Sequence, residues 1–371
     1  MKTTSKQSPT STSAAALGSQ TGPTPCSVKE ANVIRVLTES IVQHPILTRA
    51  FDKVCAVVDR NQHCSEPRHL LVIGEAGCGK STLCDLIDSK FGSFNQNFTL
   101  GIQNNVGALI TSVPSPVTPR SMAAEMLRAL GVTRNLYQTT RELTEELQFL
   151  IFKGGVKVVL MDEFQHLLSV GEGAEVSAGT RPGRSGCTNK QLLEVQNWIK
   201  SLIVKSGITF VLVGQPSITA LIRSEPQLAR RFTQICRLHS FAPPEDDAPS
   251  DLGNFVEALL MEVMCNTKGL NATEWSNADM IAGQRMHLAT NGVPSAIKDL
   301  VVDACLIAAK QGDDMIRLSH FSEAYERVRE NIDAHNAIRS AQGDSAPVTG
   351  VKNPFTAKIQ SVQSELFKKA A

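Results

Sequence analysis

The stretch Gly74-Glu75-Ala76-Gly77-Cys78-Gly79-Lys80-Ser81 is a full match to G-x-x-x-x-G-K-[ST]. Glycines at these points let the backbone curl so that consecutive N–H groups face an anion, and a helix N-terminus behind them adds partial positive charge. In that chemistry Lys80 bridges the β- and γ-phosphates of a nucleotide and Ser81 ligates Mg²⁺. Gly74 to Thr82, with Glu75, Ala76 and Cys78 between the glycines, are therefore the candidate nucleotide-binding residues, and ATP with Mg²⁺ is the expected cofactor.

A second pattern, Val158-Val159-Leu160-Met161-Asp162-Glu163, closes an apolar run on two carboxylates. Phosphoryl transfer asks a protein mainly to position groups and neutralise charge. One carboxylate in the metal shell (Asp162) and one beside the attacking water (Glu163) are what hydrolysis needs. His166 follows and reads as a structural or exposed histidine. A third apolar run, Phe210 to Val213, ends in Gly214-Gln215; a polar residue at the end of a buried strand is a candidate sensor of the γ-phosphate or the water. Arg230 and Arg231, in Leu228-Ala229-Arg230-Arg231-Phe232, are candidates for a guanidinium finger offered to a neighbouring subunit.

The residues that must position these groups follow from hydrophobic periodicity. Short apolar runs at 69–73, 108–113, 157–161, 208–213 and 234–238 alternate with helical spacing at 81–91, 121–130 and 141–152, which predicts a parallel sheet covered on both faces. Two helices joined at His44-Pro45 precede the first strand. The Gly- and Ser-rich stretch 171–187 reads as a long surface loop. Pro243, Pro244 and the acidic run 245–247 mark a linker. Beyond it, 252–264, 277–289, 295–309 and 319–332 show helical spacing and no strand signal. The expected organisation is a disordered tail over 1–28, an ATPase domain over 29–242, an all-helical lid over 243–338, and a tail over 339–371 that is partner-binding or disordered, with a short helix near 360–369.

Composition narrows the class. The chain has 371 residues, 42% hydrophobic and 20% charged, enough apolar material for a large core. No run of about 18 apolar residues predicts a membrane span. The first 27 residues hold twelve Ser or Thr and no apolar core of a secretory signal, so a cytoplasmic protein is expected. Nine scattered cysteines without a C-x-x-C pair read as reduced thiols. With 37 basic and 36 acidic side chains, any DNA contact must come from a local patch.

Phosphate loop, acidic pair, polar sensor, paired arginines and helical lid, in this order, resemble the AAA+ division of P-loop ATPases. More closely the chain resembles the TniB/TnsC transposition regulators, through His44-Pro45, Val113-Pro114-Ser115-Pro116, Leu127 to Gly131, Asp162-Glu163-Phe164-Gln165-His166-Leu167, Asn197 to Leu202 and Gln227 to Phe232. The resemblance implies an AAA+ three-layer parallel sheet with a small helical lid, and a regulator of DNA transposition. Such a protein assembles with ATP as a homo-oligomeric ring or filament on double-stranded DNA, without strong sequence preference. It answers to a target-selection protein, recruits a DDE transposase, and disassembles on hydrolysis. Many AAA+ lids place an arginine just after a Gly-x-Pro turn; here Gly292-Val293-Pro294 is followed by Ser295, and the nearest basic residue, Lys298, is the candidate nucleotide contact in its place. Thr118, Arg120, Arg181, Arg184 and Lys190 are candidate DNA contacts, since phosphate contacts supply sequence-independent affinity. Two other readings share every motif: a nucleotide-switched scaffold of a secretion or signalling complex, and a helicase or clamp loader.

Overall fold

The computed structural model describes residues 27–64, 66–92, 107–132, 138–167, 185–341 and 353–358. It opens with helix α1 (Val28–Glu39), capped by the Ser27 hydroxyl, and α2 (Pro45–Asn61), which starts at the proline after an extended His44. Proline suits the first helical turn because the N–H it lacks has no partner there anyway. Strand β1 (Leu70–Gly74) leads through the phosphate loop into α3 (Lys80–Phe91). Then come β2 (Ala108–Ser112), α4 (Pro119–Ala129), α5 (Thr140–Lys153), β3 (Val158–Asp162), α6 (Ser185–Ser206) and β4 (Thr209–Gly214). Two short helices, α7 (Ile218–Ser224) and α8 (Pro226–Arg231), precede β5 (Gln234–Leu238). The rest comprises α9 (Asp251–Asn266), β6 (Ala272–Thr273), α10 (Met280–Thr290), α11 (Pro294–Gln311), β7 (Met315–Ile316) and α12 (Leu318–Ala341).

The main sheet has the order β2-β3-β4-β1-β5, all parallel. All five residues of β1 and of β3 and all six of β4 are buried, as expected for strands covered on both faces. Alternation divides them. Leu70 and Val72 face a core shared with α2, α3 and the helical region, whereas Leu71 and Ile73 face a second core with α4, α5, α6 and α7. The fold is thus the AAA+ three-layer parallel sheet with a helical C-terminal region.

The helical spacing readings hold in type, and two details differ. The loop expected over 171–187 gives way to α6 from Ser185, whose Val195, Ile199, Leu202 and Ile203 are buried at helical steps; residues 168–184 are outside the described set. The C-terminal region also holds one two-residue parallel ladder, β6 with β7, too short to leave a periodic signal. The first core runs without a break across residue 242: α1 packs on α9 and α11 and so joins the helical region in space. Residues 353–358 pack against this region, where a partner-dependent or disordered tail was expected, because Phe355 buries its ring there. Of the tail expected over 1–28, residues 1–26 lie outside the described set, as does the helix near 360–369, while Ser27 and Val28 are the cap and the first residue of α1. Among the described residues no helix is long and apolar enough to cross a membrane. The seven cysteines whose side chains are described are free.

Candidate functional site

The site forms at the C-terminal edge of the sheet, where β1, β3 and β4 deliver the phosphate loop, Glu163 and Gln215. Chains that enter and leave a parallel sheet at such a point leave a crevice suited to ligands. Gly77 and Gly79 adopt φ of 78° and 88°, a left-handed conformation that costs other residues about 1–2 kcal/mol. At Gly77 a Cβ would also strike the Ser295 hydroxyl and Val293. The α11 N-terminus is held on the loop by a 3.1 Å bond from the Ser295 N–H to the Gly77 carbonyl. The lid and the loop are therefore in contact through a glycine that leaves no room for a side chain.

Lys80 is buried, and its ammonium donates to the carbonyls of Gly74 (2.9 Å) and Glu75 (2.8 Å). Those two bonds hold it beside the loop from which it can reach a bound phosphate. Ser81 hydrogen-bonds the Asp162 carboxylate, which also accepts the Glu163 N–H at 2.8 Å. Burial raises the Asp162 pKa and the Glu163 carboxylate adds to it, while the bond from the Glu163 N–H, the Lys80 charge and the Ser81 hydroxyl oppose it. A hydroxyl and a carboxylate side by side next to a phosphate cradle fit Mg²⁺, which takes one or two protein oxygens and completes its shell from phosphates and water. No group of three His, Cys, Asp or Glu able to hold a metal unaided occurs among the described residues.

Glu163 sits at φ 57°, the left-handed region, although it is not glycine. Such strain persists where the surroundings over-determine it. Here the Phe164 N–H donates to the Val213 carbonyl at 3.0 Å and pulls the chain back against β4. The Gln165 amide then donates to the Glu163 carboxylate, while its oxygen accepts the Gln215 N–H at 3.2 Å. Gln165 thus ties the end of β3 to the end of β4, and a Cβ at Gly214 would collide with it. His166, read as a bystander from sequence, lies 3.7 Å from Glu163 and 3.3 Å from the Val113 carbonyl. The bridging role of Gln165 left no trace in sequence, because it depends on the separation of two strands from different parts of the chain.

Lys80, Ser81, Glu163, Gln165 and Gln215 line one cleft of about 480 Å³. Lys80, Ser81, Thr82, Glu163 and Gln215 form one end. The other wall is Thr38 at the end of α1 and Ser40, Ile41, Val42 and His44 in the link to α2, together with Phe255, Leu259, Ser295 and Lys298. Lys298 donates to the Ser40 carbonyl at 3.2 Å, and burial lowers its pKa. His44 is 5% exposed, packs edge-on to Phe241 and Phe255, and its Nδ1 has no hydrogen-bond partner among the described residues. Burial depresses its pKa to about 4, so the ring is neutral. A wall that sets Ile41, Val42, Phe255 and Leu259 beside two polar atoms unpartnered among the described residues, His44 Nδ1 and the Ser40 hydroxyl, and is continuous with a phosphate cradle, fits the base of a nucleotide. In the sequence His44-Pro45 reads as a break between helices and as part of the family resemblance, with no role at the site attached.

The other candidates fall elsewhere. Arg230 is exposed and Arg231 half-buried on α8, and neither lines the cleft. Thr118 is the N-cap of α4 in a reciprocal box with Ser121, and Arg120 is exposed on the first turn. Arg181 and Arg184 lie outside the described residues; Lys190 falls within α6, its side chain outside the described set.

Three comparisons bear on this geometry. The family model described as an AAA domain matches residues 61–222. No curated protein sequence matches the chain. Among solved structures, the Aeropyrum pernix ORC2 protein in ADPNP–ADP complexes superposes with a TM-score of 0.53 at 15% identity, covering 79% of this chain and 71% of that one. The Aeropyrum pernix ORC1 protein in complex with DNA gives 0.52 at 15%, covering 90% and 85%. Cdc6p from Pyrobaculum aerophilum gives 0.50 at 12%, covering 91% and 89%. At these identities the likeness is one of fold. Through residues 61–222 and the cleft they build, the chain carries an AAA-type P-loop NTPase domain.

Proposed function

We propose that the protein is an ATP-dependent, DNA-binding AAA+ regulator of DNA transposition, of the kind its Asp162-to-Leu167 and Gln227-to-Phe232 strings resemble. The observation that carries the ATPase part is the single cleft joining Lys80, Ser81, Glu163 and Gln215 to an apolar wall with His44. Bound Mg²⁺–ATP supplies the scissile phosphoanhydride and the metal charge that offsets its oxygens. The chain does the rest. Loop N–H groups and Lys80 hold the phosphates, and Ser81 with Asp162 holds the metal. Glu163 orients and takes a proton from the attacking water, Gln215 senses the γ-phosphate, and Lys298 stands at the lid side. Arg231, or Arg230 beside it, acts on the site of the next subunit, which explains why neither lines its own cleft and makes assembly a condition of turnover.

Double-stranded DNA, a DDE transposase and a target-selection protein are the proposed partners, with Thr118, Arg120, Arg181, Arg184 and Lys190 as proposed DNA contacts. The deciding experiment is electron microscopy and ATPase assay of the purified chain with duplex DNA of arbitrary sequence. ATP-dependent assembly on DNA with stimulated turnover is expected. A response only to forked or primed DNA makes the protein a loader, and no response to DNA makes it a scaffold. Arg231→Ala should retain ATP binding and lose about 10³-fold of DNA-stimulated turnover. Mixing it with Lys80→Ala subunits should restore part of that activity, because each supplies what the other lacks; full activity of Arg231→Ala alone removes the finger.

A further inference from the structure

The helical region holds a short piece of chain that comes from far along the sequence. Asn353, Pro354 and Phe355 are buried against it. The Phe355 ring stacks on Phe321 at 6.0 Å with planes 26° apart, and Phe321 packs in turn against Trp275 at 6.0 Å. Asn353 acts as a polar key. Its amide nitrogen donates to the Ser322 carbonyl at 3.0 Å and lies 3.1 Å from the Ser322 hydroxyl. Its side-chain oxygen accepts the Phe355 N–H at 3.0 Å, and its carbonyl accepts the N–H of Thr356 at 3.2 Å and of Ala357 at 3.1 Å. From the other side Arg285, on α10, donates to the Ala357 carbonyl at 3.2 Å.

Two of the side chains are demanded by their contacts. Position 353 needs a donor and an acceptor on one short planar group, which asparagine supplies and aspartate does not. Position 355 needs an aromatic ring for the slot beside Phe321. Position 356 is exposed, and its hydroxyl bonds only the Asn353 carbonyl at 3.2 Å, within the segment itself. We propose that the groove between α10 and the start of α12 is a recognition site for an Asn-Pro-Phe sequence, and that its resident occupant is the protein's own C-terminal segment. The segment acts as a latch that joins α10 to α12. Chain length permits the return: from Ser322 to Ala341 α12 rises about 28 Å, and the steps from Ala341 to Asn353 reach up to about 40 Å. Because α10 leads through one short turn into the start of α11, whose Ser295 rests on the phosphate loop, the latch steadies the part of the lid nearest the cleft. The proposal is independent of any nucleotide or DNA reading, since it concerns a peptide and a groove.

The test uses the full chain with two substitutions in the segment, Asn353→Ala and Phe355→Ala, and a fluorescein-labelled peptide of residues 350–359. Anisotropy should show saturable binding to this variant. Wild type should bind at least tenfold more weakly, because a tethered tail competes at an effective concentration in the millimolar range. A peptide carrying Asn353→Asp should also bind at least tenfold more weakly. A variant that keeps the wild-type circular dichroism and fails to bind overturns the proposal, as does equal binding by wild type and variant. Should the double variant misfold, hydrogen exchange on full-length Asn353→Asp decides: faster exchange in 280–290 and 318–325 supports the latch, and unchanged exchange overturns it.

Discussion

Glu163 occupies a left-handed backbone position that its side chain does not favour, and its carboxylate is tied by Gln165 to the end of the neighbouring strand. The strain is tolerated because the Phe164 N–H must reach Val213 for the chain to turn back. In the proposed reaction that geometry aims the carboxylate at water, so the two side chains separate chemistry from positioning. Glu163→Gln should bind ATP within about twofold of wild type and lose at least about 100-fold in kcat, the usual scale for a general base. Gln165→Leu should lower kcat about tenfold and leave KM nearly unchanged, since it removes alignment and no phosphate contact. Steady-state ATPase kinetics checks both, and a Gln165→Leu variant whose KM rises while kcat holds contradicts the assignment. Lys80→Ala should weaken nucleotide binding by about 10- to 100-fold, the worth of a hydrogen bond to a charged group, measured with a fluorescent ATP analogue.

Single glycines decide how closely elements approach. Gly253 lies in the first turn of α9, where its N–H donates to the Ser250 cap at 3.0 Å and its carbonyl accepts the Trp275 indole at 3.2 Å. A Cβ there would run into the backbone of Asn277. Backbone cannot swing aside as a flexible side chain can, so Gly253→Ala should destabilise the helical region by about 1–3 kcal/mol. Gly312, at φ 78° with nothing near its Cβ direction, is the control: Gly312→Ala should cost only the left-handed penalty, about 1 kcal/mol. Urea titration of the two variants should rank them in that order; the reverse order would show that contact with Asn277 is not what keeps residue 253 a glycine.

Across the whole molecule two buried imidazoles set a pH dependence. Burial lowers His44 and His69 to about 4, with Arg231 adding to the effect at His69. The unfolded chain binds these protons near pH 6.5 while the native rings refuse them, so this stability is fully present above about 6.5 and is lost as pH falls toward 4. The two sites together should lower stability by about 3–4 kcal/mol between pH 7 and pH 5. The raised Asp162 carboxyl acts with the opposite sign, because the native protein holds that proton more tightly than the unfolded chain does. His44→Phe keeps the edge-on packing against Phe241 and Phe255 and should remove about half of the slope; a denaturation midpoint that changes with pH as steeply as in wild type rules the assignment out.

The phosphate loop, the acidic pair and the alternation of strands and helices were legible in the chain because each depends on neighbours within about ten residues. Glycine spacing, an apolar run and helical periodicity are local physics, and they placed Lys80, Ser81, Asp162 and Glu163 on the right elements. The rest was decided by tertiary structure. The order β2-β3-β4-β1-β5 sets Gln165 against Gln215. The packing of α9 and α11 on α1 turns His44 and Lys298 into walls of the cleft. Docking of Phe355 on Phe321 makes a groove from residues more than thirty positions apart. Such contacts depend on distances between elements that close only when the hydrophobic faces meet, and no local pattern of residues records them.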